Sequence, residues 1–299
     1  MRRQALLLTV VLAGVSAVPA SSQTAPARPD FSGIWAHPYW PGFDPPESGP
    51  GPVLNIVRKD GIGNSDQLTG DYRNPILKPN AAAVVKRYGE ISATGVTYPT
   101  PANQCWPSPV PYILWTIGIQ LLQQKDKVTI LYSNPDHESR EVRLNAQHPA
   151  RVIPSMHGDS IGHYEGDTLV VDTVGVRTNR PFAMADVYGT PYSPSLHVIE
   201  RYRLVNEDVA KAAEARTRKE NLPIPFNDAG LTVDETYKGK ALALEFTVED
   251  EGVFTMPWKA GMIYRRAAGA WPEAACAENR SQYYAGKDAE VPRAEKPDF

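Results

Sequence analysis

His157-Gly158-Asp159-Ser160-Ile161-Gly162-His163-Tyr164-Glu165-Gly166-Asp167-Thr168-Leu169-Val170-Val171-Asp172-Thr173 is the stretch on which the fold is read. Two extended pieces flank Glu165-Gly166-Asp167, which makes a tight β-hairpin the simplest account. With Gly166-Asp167 as a two-residue loop, Tyr164 faces Leu169, His163 faces Val170 and Ile161 faces Asp172. His163 and Asp172 then share one face as diagonal neighbours. A carboxylate beside an imidazole orients it as a general base, so the pair is a candidate catalytic couple. The plainer alternative is that Asp172 accepts backbone hydrogen bonds and that His163 is exposed.

Outward from the hairpin, short strands follow one another at Lys127–Tyr132, Ser139–Leu144, Ser160–Tyr164, Thr168–Val176, Leu196–Val205, Leu231–Tyr237, Lys240–Glu249 and Gly261–Arg266. Phe31–Trp35 is read as a first strand, and Tyr112–Leu122 is ambiguous. With no helix between most of them, the pattern predicts a mainly β, antiparallel meander, closed as a lipocalin-like barrel. Residues 31–111 form a Pro-rich segment packed on that barrel, and residues 112–280 form the barrel itself. Two helices are expected. One starts at Pro79, with Asn80 as cap and Gly89 as stop. The other is a solvent-facing excursion over 207–221. Residues 281–299 are a C-terminal tail.

At the other end, Met1-Arg2-Arg3-Gln4, the apolar run Ala5–Ala17 and Val18-Pro19-Ala20 have the layout of a cleaved secretory signal over residues 1–20, with 21–30 as linker. The run is too short for a membrane anchor, and no later stretch is apolar for long enough to span a bilayer. The expected location is the periplasm or the exterior. Without Arg2 and Arg3, the 31 basic residues fall to 29 against 34 acidic ones, a net charge of −5. No basic stripe interrupts that balance, so nucleic acid is excluded as a partner. Cys105 and Cys276 both lie in the exported portion, where an oxidising compartment permits a disulfide between them. Two buried thiols are the alternative.

Further candidates come from strand alternation. Val198, Glu200, Tyr202 and Leu204 fall on the more apolar face of their strand, which puts Glu200 in a core or lumen as a candidate acid, or in a salt bridge to an arginine such as Arg143 or Arg265. His157 precedes a glycine where a loop enters the hairpin and is a second candidate base; Tyr164 is a second candidate acid. Asp159, His197, Tyr202 and Trp258 are candidate ligand-binding residues. His157, His163 and Asp159 can be imagined around a metal, but neither a His-Glu-x-x-His helix nor a calcium loop is present, and no metal is expected. Neither a dinucleotide fingerprint, a phosphate-binding glycine loop nor a Gly-x-Ser-x-Gly elbow occurs, so no cofactor is expected.

The central motif, together with Leu196-His197-Val198-Ile199-Glu200-Arg201-Tyr202-Arg203, Phe31-Ser32-Gly33-Ile34-Trp35, Cys105-Trp106-Pro107 and Cys276-Ala277-Glu278-Asn279, resembles a large group of exported bacterial hypothetical proteins. The resemblance spans Phe31 to about Asn279 and implies no general activity. In that group Trp often stands where this chain has Tyr164, and an Asp-Pro precedes Tyr-Thr-x-Pro-Trp where this chain has Glu251–Trp258. The residues themselves support three expectations. The first is a cofactor-independent lyase or isomerase acting by proton transfer on a small apolar or phenolic molecule, with His163 or His157 as base, Asp172 orienting it and Glu200 or Tyr164 as acid. The second is a periplasmic carrier or binding protein for an apolar ligand, drawing on an aromatic supply that includes Trp35, Trp115, Phe246, Trp258 and Tyr264. The third is a hydrolase using paired carboxylates. A homo-oligomer is compatible with each.

Overall fold

The computed structural model describes residues 28–38, 42–59, 62–63, 67–95, 98–133, 138–179, 183–220 and 231–271. The signal and nearly all of the linker, Tyr39, Trp40, His137, Cys276 and the C-terminal tail lie outside these residues.

The strands are β1 Ile34–Ala36, β2 Arg58–Lys59, β3 Ile62–Gly63, β4 Gly118–Gln123, β5 Lys127–Tyr132, β6 Ser139–Leu144, β7 Asp159–Glu165, β8 Thr168–Val174, β9 His197–Val205, β10 Thr232–Val233, β11 Ala241–Glu249 and β12 Trp258–Ala268. The helices are α1 Pro79–Ser92 and α2 Glu207–Glu220. Nine strands close a barrel in the order β1-β4-β5-β6-β7-β8-β9-β11-β12, shut by the β1–β12 pairing. β10 adds to the end of β12 that runs past β1, and β2 and β3 form a separate ribbon.

Eight of these nine neighbour pairings are antiparallel. The exception corrects the expected meander: β6 and β7 run parallel, with Val142 opposite Ser160 and Leu144 opposite Gly162. A parallel pair needs a crossover. Here residues 145–158 carry the chain from one mouth back to the other along the outside of the wall. The barrel is closed and mixed, which is a coarser match than a lipocalin-like meander.

Alternation builds the lumen. In β5, Val128, Ile130 and Tyr132 are fully buried while Lys127, Thr129 and Leu131 are only partly so. The same period places Leu169 and Val171 of β8, Val198 and Tyr202 of β9, and Leu242, Leu244 and Phe246 of β11 in one continuous core. Each such side chain contributes roughly 1.5–3 kcal/mol on burial. The hairpin register is as expected, with Tyr164↔Leu169, His163↔Val170 and Ile161↔Asp172. Gly166 has φ +62° with open space around it, so the turn conformation is what asks for glycine there.

Strand directions gather four connections, residues 37–117, 133–138, 175–196 and 250–257, at a single mouth. The Pro-rich segment caps it. Phe43 meets the inward Phe246 at 4.9 Å between ring centroids and Trp258 at 6.4 Å, while Phe254 lies 5.7 Å from Trp258. Helix α1, within that cap, begins at Pro79 as expected, with Lys78 in place of Asn80 as its cap. Pro79 occupies its first turn, and the helix runs on through Gly89. A Cβ at Gly89 would lie 2.6 Å from Thr69 Cγ2, so close packing, and not helix termination, selects glycine there.

Only two residues of the expected Leu231–Tyr237 strand are extended, and Tyr112–Leu122 divides into a 3₁₀ turn, Tyr112–Leu114, and β4. Cys105 is the one cysteine among the described residues, so no disulfide is described within them, and the expected pairing with Cys276 lies outside them. No helix among the described residues is long and apolar enough to cross a membrane.

Candidate functional site

The residues nominated by sequence fall into three separate places. The first is the lumen. Glu200, on the inward face of β9, is fully buried, and Arg140, on the inward face of β6, is 2% exposed. The guanidinium grips the carboxylate with two bonds, Nη1 to Oε1 and Nη2 to Oε2, each 2.6 Å. Tyr202 Oη donates to Glu200 Oε2 at 2.7 Å. Thr173 Oγ1 lies 3.4 Å from Arg140 Nη1 and 2.9 Å from Ser160 Oγ. Burial works against the Arg140 charge, but the Glu200 carboxylate holds it well above the usual range, and burial next to Glu200 pushes the Tyr202 hydroxyl well up.

Glu200 is thus occupied as an ion-pair partner. That pairing belongs to the ordinary alternative raised above, with the arginine corrected: Arg140 does it, not Arg143 or Arg265. Arg143 donates to both oxygens of Asp159 at 2.8 Å, and Arg265 pairs with Glu207 and Glu214 of α2. Arg140 was legible in principle, because it alternates with Val142 and Leu144 on the buried face of β6.

The second place is the outer wall. Asp172 and His163 share the outward face as the register requires, but they do not pair. His163 Nε2 meets Glu165 at 3.0 Å and is half exposed. Asp172 Oδ1 is shared by His197 Nε2 at 2.9 Å and by His148 Nε2 at 3.2 Å. The other nitrogen of each ring faces another carboxylate, His148 Nδ1 meeting Asp159 at 2.6 Å and His197 Nδ1 meeting Glu249 at 3.3 Å. The hydrogen bond from His197 holds the Asp172 carboxyl below its usual range, and Asp172 in turn raises His197. This ladder fastens the 145–158 crossover to the barrel. His148 is its unexpected member, since a loop histidine carries no local signal of what it will meet.

His157 lies elsewhere in the crossover, with Nε2 2.7 Å from Glu138 Oε2, and Glu138 also accepts the Ser108 N–H. Tyr164 points inward near the opposite mouth. Its hydroxyl accepts from Gln123 Nε2 at 2.9 Å, and the Arg28 guanidinium lies 5.3 Å from its ring. The expected set of His163 or His157, Asp172, and Glu200 or Tyr164 is therefore not assembled around one space. Asp172 and Glu200 lie on opposite faces of the sheet, which keeps them from flanking one substrate bond. Among the described residues, no three His, Cys, Asp or Glu side chains are grouped to hold a metal.

No family model, curated protein or solved structure matches this chain.

The third place is the capped mouth. A small pocket of about 20 Å³ lies there, lined among the described residues by Phe43, Val53, Trp115, Val187, Tyr188 and Asp186 among others. Beneath it lies the Phe43–Phe246–Trp258 cluster, which includes the nominated Trp258, fully buried against the cap. Asp186 sits in the 175–196 connection and is 3% exposed. Its Oδ1 accepts the N–H groups of Tyr188 at 2.9 Å and Thr190 at 3.2 Å. Desolvation pushes its carboxyl up to about 6 despite those bonds and the nearby Thr190 hydroxyl. The available sequence signal was a lone acid in Met184-Ala185-Asp186-Val187, and the sequence reading did not use it.

Proposed function

We propose that the protein is an exported, lipocalin-like binding or carrier protein that takes a small apolar or aromatic molecule at the capped mouth of its barrel and does not transform it. The observation behind this reading is the division of side chains. Apolar and aromatic groups, with Asp186 among them, line the mouth and the lumen beneath it, while the ionisable groups nominated for proton transfer are either saturated inside the wall or spread over its outer surface. Pockets of this kind, mostly apolar with a few placed polar groups, are the common form of small-ligand sites. A lyase or isomerase has less support, because none of the nominated bases, His157, His163 or Asp172, lines the pocket. Membership in the group of exported bacterial hypothetical proteins remains part of the proposal and adds no activity to it.

The test is to titrate the purified mature protein with a panel of small phenols and other aromatics. Tryptophan fluorescence would follow binding, and the recovered ligand would be analysed by chromatography. Saturable one-to-one binding with the ligand returned unchanged is the expected result. Absence of binding across the panel would overturn the proposal, and conversion of a ligand to product would restore the acid–base reading.

A further inference from the structure

We propose that the crossover over residues 145–158 is a pH-sensitive strap, fastened to the outer wall of the barrel while His148 and His197 are protonated and loosened once they are neutral. A neutral imidazole has one N–H and an imidazolium has two, whereas a carboxylate only accepts. All four ring nitrogens of these histidines face carboxylate oxygens. His148 reaches Asp159 of β7 at 2.6 Å and Asp172 of β8 at 3.2 Å, and His197 of β9 reaches Asp172 at 2.9 Å and Glu249 of β11 at 3.3 Å. A neutral ring therefore turns a lone pair toward a carboxylate at one of its ends. Only the protonated ring answers both.

Charge leads to the same state. The ladder sets three carboxylates, Asp159, Asp172 and Glu249, against one guanidinium, that of Arg143 on Asp159. Protonating both rings supplies the two positive charges that balance it. Neighbouring charges on this outer face pair with one another: Lys127 with Glu141, His163 and Arg201 with Glu165, and Arg203 with Glu245. Asp172 raises His197 above its ordinary 6.5, so this contribution is whole below 6.5 and is lost as pH rises through the raised value. The middle of the crossover has little else to hold it. Among the described residues, 146–153 make no hydrogen bond to another main-chain group, and Ile153 is 82% exposed. The main-chain bonds lie at the two ends. Asn145 N–H donates to Gly162 O at one; at the other, Ser155 N–H donates to Gly175 O, Arg177 N–H to Ser155 O and the cap's Val110 N–H to Met156 O. There too the Arg177 guanidinium donates to Pro154 O, and His157 meets Glu138.

The experiment follows amide hydrogen exchange by NMR in the full mature protein at about pH 5.5 and about pH 8.5, on either side of the histidine range, and repeats it on His148→Gln combined with His197→Gln. Exchange is expressed as protection, corrected for the intrinsic pH dependence of the amide. Between the two pH values, protection of the Ser155 and Arg177 amides is expected to fall about fivefold relative to the amides of β5, the scale of two partly exposed ion pairs. The double variant should show no such fall, because its ladder has no titrating ring. Protection at Ser155 and Arg177 that tracks β5 at both pH values overturns the proposal. So does a fall of the same size in the double variant, which would belong to His157 or to the barrel as a whole. If the double variant does not fold, His148→Gln alone, which cuts the crossover's own link to the ladder, makes the same comparison.

Discussion

The inner and outer faces of the β8–β9 wall carry the same chemistry to different ends. Inside, Glu200 meets a cation at zero exposure with its oxygens all engaged. Outside, one residue away in the strand pairing, Asp172 meets two histidines with its side chain 37% exposed. Water decides the difference. In the lumen the pair has no alternative partner, so losing one member strands the other. On the surface, solvent replaces whichever group is removed.

The largest effect is expected from splitting the inner pair. Arg140→Met leaves Glu200 as a buried anion and should cost about 3–5 kcal/mol in urea unfolding, as should Glu200→Gln through the stranded Arg140. Replacing both at once, Arg140→Met with Glu200→Leu, should recover most of that loss. An unpaired Nε on Arg140 shows that the pair is not fully compensated even in the intact protein. A double variant as unstable as either single one would break the comparison, because it would make the lumen depend on the charges themselves.

Next comes the outer ladder. Asp172→Asn should cost no more than about 1 kcal/mol, since the site is more than a third exposed. Its pH dependence has a definite sign. Asp172 is lowered from 3.8, so its contribution is present above that value and is lost as acid protonates it. His197 is raised from 6.5, so its contribution is present below that value and is lost as base deprotonates it. The stability difference between the parent and Asp172→Asn should therefore be greatest between about pH 4 and pH 6.5. A difference that is flat across that range would mean the ladder does not titrate as a pair. The smallest effect belongs to His163→Ala, which removes a half-exposed histidine paired with the equally exposed Glu165, and should leave the urea midpoint unchanged within error.

Several elements were legible before the fold was seen. Lys127–Tyr132 and Ser139–Leu144 are strands at the expected residues, and the hairpin at Gly166-Asp167 has the expected register, because a two-residue turn leaves no freedom in how its strands pair. Glu200 was placed on the inward face because the period of two is written into Val198-Ile199-Glu200-Arg201-Tyr202. The parallel β6–β7 pairing was not legible. Nothing local distinguishes a strand that follows an outside crossover from one that follows a hairpin. For the same reason His148 and Arg140 were passed over, since their partners lie 24 and 60 residues away.

The sequence by itself determined the β character and the face on which each hairpin residue lies. These follow from side-chain alternation and turn chemistry, which are properties of neighbours in the chain. Only the tertiary structure decided which face is lumen, which arginine answers Glu200, and that Asp186 and the aromatic residues of the Pro-rich cap meet at one mouth. Closure of a barrel and exclusion of water from its interior depend on strands far apart in sequence. Whether a given carboxylate is an idle surface charge or a buried group in need of a partner is settled there.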